Sequence, residues 1–284
     1  MLSRLLTYGS FVRFSHSVFA LPFALTGVLL AGRVHPVTAR QIVWIVAAMV
    51  FGRSAALGFN RVADARFDAV NPRTAARELP RGALSRREAV VFVIAASAAF
   101  VFSTFQLSWL CFALSPVALA IVFWYSLAKR FTWTTQLFLG LAMAVAPVGG
   151  WLAAGGRGGL EPWLLALAIG LWVGGFDVLY ACQDVTADRV HGLRSIPARF
   201  GVPRSVAISR GMHLGAVASL AALALVAPLG WLYPVGVAVV AALLWYEQSL
   251  VSPDDLSQVK RAFDLNGYVG ILYFVFTALS LYVA

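Results

Sequence analysis

Apolar runs of about twenty residues recur along almost the whole of this 284-residue chain, and that is the length an α-helix needs to cross the hydrocarbon core of a bilayer. Nine runs can be read, near 15–32, 41–62, 88–106, 108–127, 135–154, 162–183, 205–227, 231–250 and 264–283. In lipid, backbone N–H and C=O groups must be satisfied within the protein, so segments of this length specify helices. The expected fold is all-α: a polytopic membrane bundle of nine transmembrane helices, forming a single domain over residues 1–284. Composition agrees. Only 12% of residues are charged against 61% hydrophobic, and the mean hydropathy is +0.82. A soluble protein of this size would carry about twice that share of charge. Glycine and proline fall inside the runs, as at Pro22 and at Pro147-Val148-Gly149-Gly150. Small residues let membrane helices approach closely.

The chain carries a formal charge of +10, but its basic residues do not line a soluble face, which excludes nucleic acid as a partner. They sit in loops between the runs, and they alternate. The N-terminus and the connections from even to odd spans hold 18 of the 22 Lys and Arg residues; the other connections hold only Arg33, Arg40 and Arg157. The positive-inside rule therefore places the N-terminus and the rich loops in the cytoplasm and the C-terminus outside. The first run carries no small-residue cleavage site and reads as a retained helix. Cys111 and Cys182 lie in apolar segments without metal-ligand spacing and read as small buried side chains. His16, His35, His191 and His213 likewise form no ligand pattern, with His16 and His213 read as packed residues.

Arg53 is the one basic residue deep inside a span, away from the connections, and it leads to the most informative pattern. Asn60, Asp64 and Asp68 step by four, with Arg53 seven before Asn60. On an α-helix such residues share a face. The pattern repeats as Tyr180, Asp184 and Asp188, with Asp177 seven before Asp184. Like charges at this spacing repel, and an ionised group in a bilayer costs about 2.5–3.5 kcal/mol on insertion scales. A hard divalent cation is the simplest reason to place such rows at two helix ends. Magnesium takes one or two carboxylates together with substrate phosphates. Long basic loops, about 63–87 and 184–204, follow both rows, and long loops in compact proteins are usually functional. Lys129 and Arg130 end the fourth run; lysine is a point charge for phosphate and arginine a fork for phosphate or carboxylate.

Together these segments resemble the UbiA superfamily of intramembrane prenyltransferases. The resemblance rests on Arg53 through Gly82, where Asn60, Asp64 and Asp68 precede Asn71-Pro-Arg73-Thr74 and Arg77-Glu-Leu79-Pro80-Arg-Gly82. It rests also on Tyr125-Ser with Lys129-Arg130-Phe-Thr and Gln136, and on Tyr180 through Gly201 with Gly192, Ser195 and Ile-Pro-Ala-Arg-Phe-Gly. Within the family the chain looks closest to 4-hydroxybenzoate polyprenyltransferases. Two positions depart from the pattern: Arg61 stands where an Asp often follows the Asn, and Gln183 where a Lys often precedes the Asp.

The resemblance implies Mg2+-dependent transfer of a polyprenyl group from polyprenyl diphosphate to a ring carbon of an aromatic acid, 4-hydroxybenzoate in ubiquinone biosynthesis. A dihydroxynaphthoate of menaquinone biosynthesis is the runner-up acceptor. It implies Asn60, Asp64 and Asp68 as ligands of one magnesium and Asp184 and Asp188 of another. Lys129, Arg73 and Arg77 would face the diphosphate. Arg130, or else Arg53, would hold the acceptor carboxylate. Asp177 and Tyr180 join the site, and an Asp of the second row would take the ring proton. Phe59, Phe123 and Tyr125 would flank a tail or ring. The isoprenoid tail would run into membrane lipid, and the implied location is a bacterial inner membrane with the site facing the cytoplasm. The rival from another class is an ion-coupled transporter, which predicts acids near the midplane instead of at one face.

Overall fold

In a computed structural model of the protein, residues 2–11, 21–34, 36–72 and 74–281 are described, with side chains from Thr7 onward. They are all-helical. Among them there is no strand, only an isolated bridge between Ser252 and Asp255. Two compact units are formed, one from residues 1–18 and 39–127 and the other from 19–38 and 128–284.

The first unit contains α1 (Leu2–Phe11), α3 (Ala39–Val70), α4 (Arg86–Phe105) and most of α5 (Trp109–Ala128). The second contains α2 (Leu21–Gly32), α6 (Thr135–Ala153), α7 (Glu161–Ala181), α8 (Val185–Val190), α9 (Ile196–Phe200), α10 (Val202–Val226), α11 (Leu232–Ser249) and α12 (Val259–Ser280). Each expected run holds a helix. Among the described residues seven helices are long and apolar enough to cross a membrane, which makes this a multi-pass membrane protein. Of the first run, the residues from Leu21 onward are described, and α2 occupies twelve of them. The 18 residues of α11 are diluted by Glu247 and Gln248 at its end. Short breaks over residues 106–108 and 227–231 separate α4 from α5 and α10 from α11.

Three boundaries differ from the sequence expectation. The helix expected to end near residue 62 continues as α3 to Val70, so the following loop begins at Asn71. Alanine and arginine favour helix, and Pro72 disfavours helix at the residue before it. All of Asn60, Asp64 and Asp68 therefore lie on one unbroken helix. In the second row, α7 ends at Ala181 and a single 3-10 turn, Cys182–Asp184, leads into α8. Tighter winding there means that Tyr180, Asp184 and Asp188 do not stack at the even α-helical step that the sequence suggested. The short helix α1 was not anticipated, because its ten residues cannot span a bilayer.

In the first unit, Phe11, Leu84 and Ala89 form a core with Tyr8, Leu57, Leu79 and Phe92 around it. This core fastens α1 and the loop after α3 to the α3–α4 pair. α4 opens with a capping box: Ser85 Oγ accepts from the Glu88 N–H at 3.2 Å, and Glu88 Oε2 accepts from the Ser85 N–H at 2.9 Å. In the second unit the helices meet through glycine. A Cβ on Gly27 would strike the Pro147 carbonyl, one on Gly150 the Ala24 carbonyl, and one on Gly140 the Gly170 carbonyl. α6 thus lies backbone to backbone against both α2 and α7, as small residues permit in membranes.

Gly27→Val is expected to lower the thermal unfolding midpoint in detergent, at a cost of about 1–3 kcal/mol from overpacking. Gly149→Ala, on the same helix as Gly150 but with open space around it, is expected to leave the midpoint unchanged. Equal midpoints for the two variants would remove the close-contact assignment.

Candidate functional site

The first acidic row lies near the C-terminal end of α3. Asp64 and Asp68 are buried, 4% and 6% exposed, and Asn60 is partly buried. The Asn60 amide Nδ2 donates to Asp64 Oδ2 at 3.3 Å. The loop after the helix folds back over its end. Arg77 Nη1 donates to both oxygens of Asp68, at 2.7 and 2.8 Å, and Thr74 Oγ1 donates to the Asp68 carbonyl at 3.1 Å. Charge-assisted bonds of this length are among the stronger ones. Gly82, with φ of 72°, supplies the left-handed turn that brings the chain back toward α4. The loop is held from its other side too, where Ser10 Oγ of α1 donates to the buried Glu78 at 2.5 Å.

Two further predicted residues fall in this unit. Arg53 lies two turns before Asn60, and its Nε is buried with no hydrogen-bond partner among the described residues. Phe59 and Phe123 stack on each other with ring centroids 4.5 Å apart. Arg73 lies outside the described residues, as do His16 and His35.

The second row is built by α7, the 3-10 turn and α8. Asp177 and Tyr180 are partly buried on the last turns of α7, and Tyr180 packs against Phe263 of α12 at 4.9 Å. Asp184 closes the 3-10 turn. Asp188 Oδ2 accepts from Ser195 Oγ at 2.8 Å, and the same Ser195 oxygen caps α9 by accepting from the Ala198 N–H at 3.2 Å. One serine thus orients a carboxylate and starts a helix.

The Lys129–Arg130 turn belongs beside this row. The Arg194 N–H donates to the Lys129 carbonyl at 2.7 Å, and Arg194 Nη1 to the Phe131 carbonyl at 2.7 Å. The buried Gln136 side chain accepts from the Ile196 N–H at 3.1 Å. Arg199 lies over the Trp133 ring at 4.8 Å. Lys129, Arg130 and the 185–200 segment are therefore tied into one assembly. The arginines of the loop partly serve this tie, a role that spacing alone does not reveal.

Both rows offer hard oxygen donors suited to a small divalent cation with phosphate. Among the described residues no three His, Cys, Asp or Glu side chains gather into a metal-binding group. Structure adds Ser10, Glu78 and the bond from Ser195 to Asp188. Ser10 carried no sequence signal, and Glu78 stood in the loop motif, outside the periodic rows.

Acidic helix ends followed by basic loops, on helices long enough to span lipid, fit a membrane-embedded enzyme. The match to known proteins gives the class its name: residues 20–277 match the UbiA prenyltransferase family, and the chain belongs to that family. It is a prenyltransferase. It is 34% identical over 242 residues to a 4-hydroxybenzoate octaprenyltransferase of Salmonella paratyphi B, covering 84% of this chain and 83% of that protein. The apo structure of a UbiA homologue from Aeropyrum pernix is 37% identical, with a TM-score of 0.86 over 94% of this chain and 98% of that one. A UbiA homologue from Archaeoglobus fulgidus, solved with GPP and Mg2+, is 19% identical and shares the fold, with a TM-score of 0.73 over 96% of this chain and 99% of that one. Family membership sets aside the transporter reading.

Ser195→Ala is expected to destabilise the protein by about 1 kcal/mol through loss of the cap and to slow prenyl transfer through a misaimed Asp188. Ser195→Thr, which keeps the hydroxyl, should restore both. Thermal unfolding and turnover of the two variants check this, and full activity in Ser195→Ala would contradict it.

Proposed function

We propose that the chain catalyses Mg2+-dependent transfer of a polyprenyl group from polyprenyl diphosphate to a ring carbon of 4-hydroxybenzoate, in ubiquinone biosynthesis. The observation that carries the reading is the pair of carboxylate rows, each at the end of an apolar helix and each followed by an arginine-rich loop. Curated relatives bear the name of this reaction. The Archaeoglobus fulgidus homologues were solved with GPP or DMAPP and Mg2+. The proposed functional unit is the single domain 1–284, in keeping with a family match that runs through both compact units.

The donor set suits the metal. Asn60, Asp64 and Asp68 would hold one magnesium ion, and Asp184 and Asp188 another. When bound, magnesium neutralises charge on a departing diphosphate. The chain's own cations add to this. Lys129, Arg73 and Arg77 lower the cost of the negative charge that develops as the bond between the allylic carbon and its oxygen breaks, with the electron pair leaving on the diphosphate. Such preorganised charge is worth most where water is excluded. A ring carbon ortho to the phenol then supplies the pair for the new carbon–carbon bond. Arg130 holds the acceptor carboxylate, and Arg53 is the second residue suited to it. Asp177 and Tyr180 complete the pocket wall, and Asp184 or Asp188 accepts the ring proton.

The isoprenoid tail, apolar throughout, extends into lipid. The bias of 18 basic residues toward one set of loops orients the site to the cytoplasm, and a bacterial inner membrane is the proposed location.

Purified protein given geranyl diphosphate, 4-hydroxybenzoate and Mg2+ is expected to form the C-prenylated acid, and chelation should abolish it. Arg130→Ala should lose activity on carboxylated acceptors by about 10²-fold, the scale of one preorganised charge. No prenylated product with any of a panel of aromatic acceptors would remove the acceptor class, and full activity in Arg130→Ala would remove that residue's role.

A further inference from the structure

A set of buried polar side chains encircles α7 one turn below its acidic end, and nothing in the proposed chemistry uses them. Trp172 Nε1 on α7 donates to Asn266 Oδ1 on α12 at 2.6 Å. The Asn266 amide also donates to the Ala262 and Phe263 carbonyls, at 3.2 Å each, and its side chain reaches the Glu247 carboxyl on α11. The next residue of α11 starts a second chain. Gln248 Nε2 lies 2.8 Å from Ser209 Oγ and 3.0 Å from His213 Nδ1, both on α10. Ser209 Oγ donates to the Gly175 carbonyl on α7 at 2.8 Å. Every side chain in this set is less than 9% exposed, with Asn266 and Ser209 at 0% and Glu247 at 1%.

Two adjacent residues of α11 thus act through α12 and α10 on two points of α7 three residues apart. Buried polar groups at this depth are costly, and apolar packing would stabilise as well. What directional bonds supply is a unique rotation, as a single buried Asn does for a coiled-coil register. Where α7 meets α6 and α10 most closely it carries Gly170, Gly174 and Gly175, which add no side chain of their own, so directional bonds add to the packing of Trp172, Phe176 and Leu179 in setting its rotation. A rotation of roughly 20° would swing a carboxylate about 6 Å from the helix axis by about 2 Å.

We infer that Glu247, Gln248, Asn266, Ser209 and His213 are positioning residues that fix the rotation of α7 and so aim Asp177, Tyr180 and Asp184. The inference rests on the proposed role of the second row in binding metal and diphosphate. Its link to the row is short, since Gly175 precedes Asp177 by two residues. Trp172 also continues through Phe176 (5.8 Å) and Phe263 (5.5 Å) to Tyr180 (4.9 Å) as a run of packed rings.

The test uses Asn266→Ala, Trp172→Phe, which keeps an aromatic ring and removes the N–H, and Glu247→Gln, which keeps shape and hydrogen-bonding groups. Spin labels at Gln183 and Arg210, both exposed, report the α7–α10 distance once the two native cysteines are replaced by Ala. Asn266→Ala and Trp172→Phe are expected to broaden that distance distribution. They are also expected to raise the Mg2+ concentration for half-maximal transfer from geranyl diphosphate by about tenfold, the scale of lost support around metal ligands. Glu247→Gln should stay near the wild-type protein in both. Unbroadened distances in Asn266→Ala and Trp172→Phe, or a lowered thermal midpoint with an unchanged Mg2+ requirement, would overturn the inference. Absence of Mg2+-dependent transfer in the wild-type protein would instead overturn the proposed function, while the distance measurement would still decide whether the collar holds α7.

Discussion

A carboxylate at the end of a lipid-embedded helix has to be matched by something, and the architecture around both acidic rows follows from that demand. In the first unit the match for Asp68 is Arg77, nine residues on, donating to both oxygens. Meeting it forces the chain after Val70 to double back, which the Gly82 turn and the Thr74 bond to the helix end accomplish. In the second unit Asp188 is matched by a neutral hydroxyl, Ser195. The two rows are therefore held by different chemistry. Asp68 accepts from a guanidinium, and Asp188 accepts from a hydroxyl.

The loops that close the rows are structural as well as chemical. Arg194 engages the Lys129 and Phe131 carbonyls with its backbone N–H and guanidinium, and Arg199 lays its guanidinium on an aromatic face. This pins the short helices α8 and α9, which are too small to be stable by themselves. Lys129 and Arg130 are then presented from a fixed turn instead of a mobile loop. Close glycine contacts beneath, between α6 and its neighbours α2 and α7, provide the rigid base that precise placement of charged groups requires.

Much of this was legible before any coordinates. The spans could be read because lipid imposes one secondary structure and one length. The acidic rows could be read because Asp repeated at a four-residue step is costly in an apolar helix, and a bound cation offsets that cost. The extent of α3 was missed because hydropathy falls after Val62 while helix propensity does not. The 3-10 turn at Cys182–Asp184 leaves no compositional mark. The Arg77 bond to Asp68 depends on a loop path, which a count of arginines in a basic loop does not disclose. Glu247, Gln248 and Asn266 form no pattern in the sequence, and only packing reveals the set they make around α7. His213, expected to be packed, is packed at 4% exposure.

The proposed function asks each row to serve Mg2+-dependent binding of the prenyl diphosphate. Equilibrium binding of a non-hydrolysable geranyl diphosphate analogue to the purified protein tests it without turnover. The account predicts Mg2+-dependent binding that is lost on neutralising either row, in Asp64→Asn as in Asp184→Asn, while both variants remain folded. Binding that is indifferent to Mg2+, or that survives the loss of one row unchanged, would contradict it.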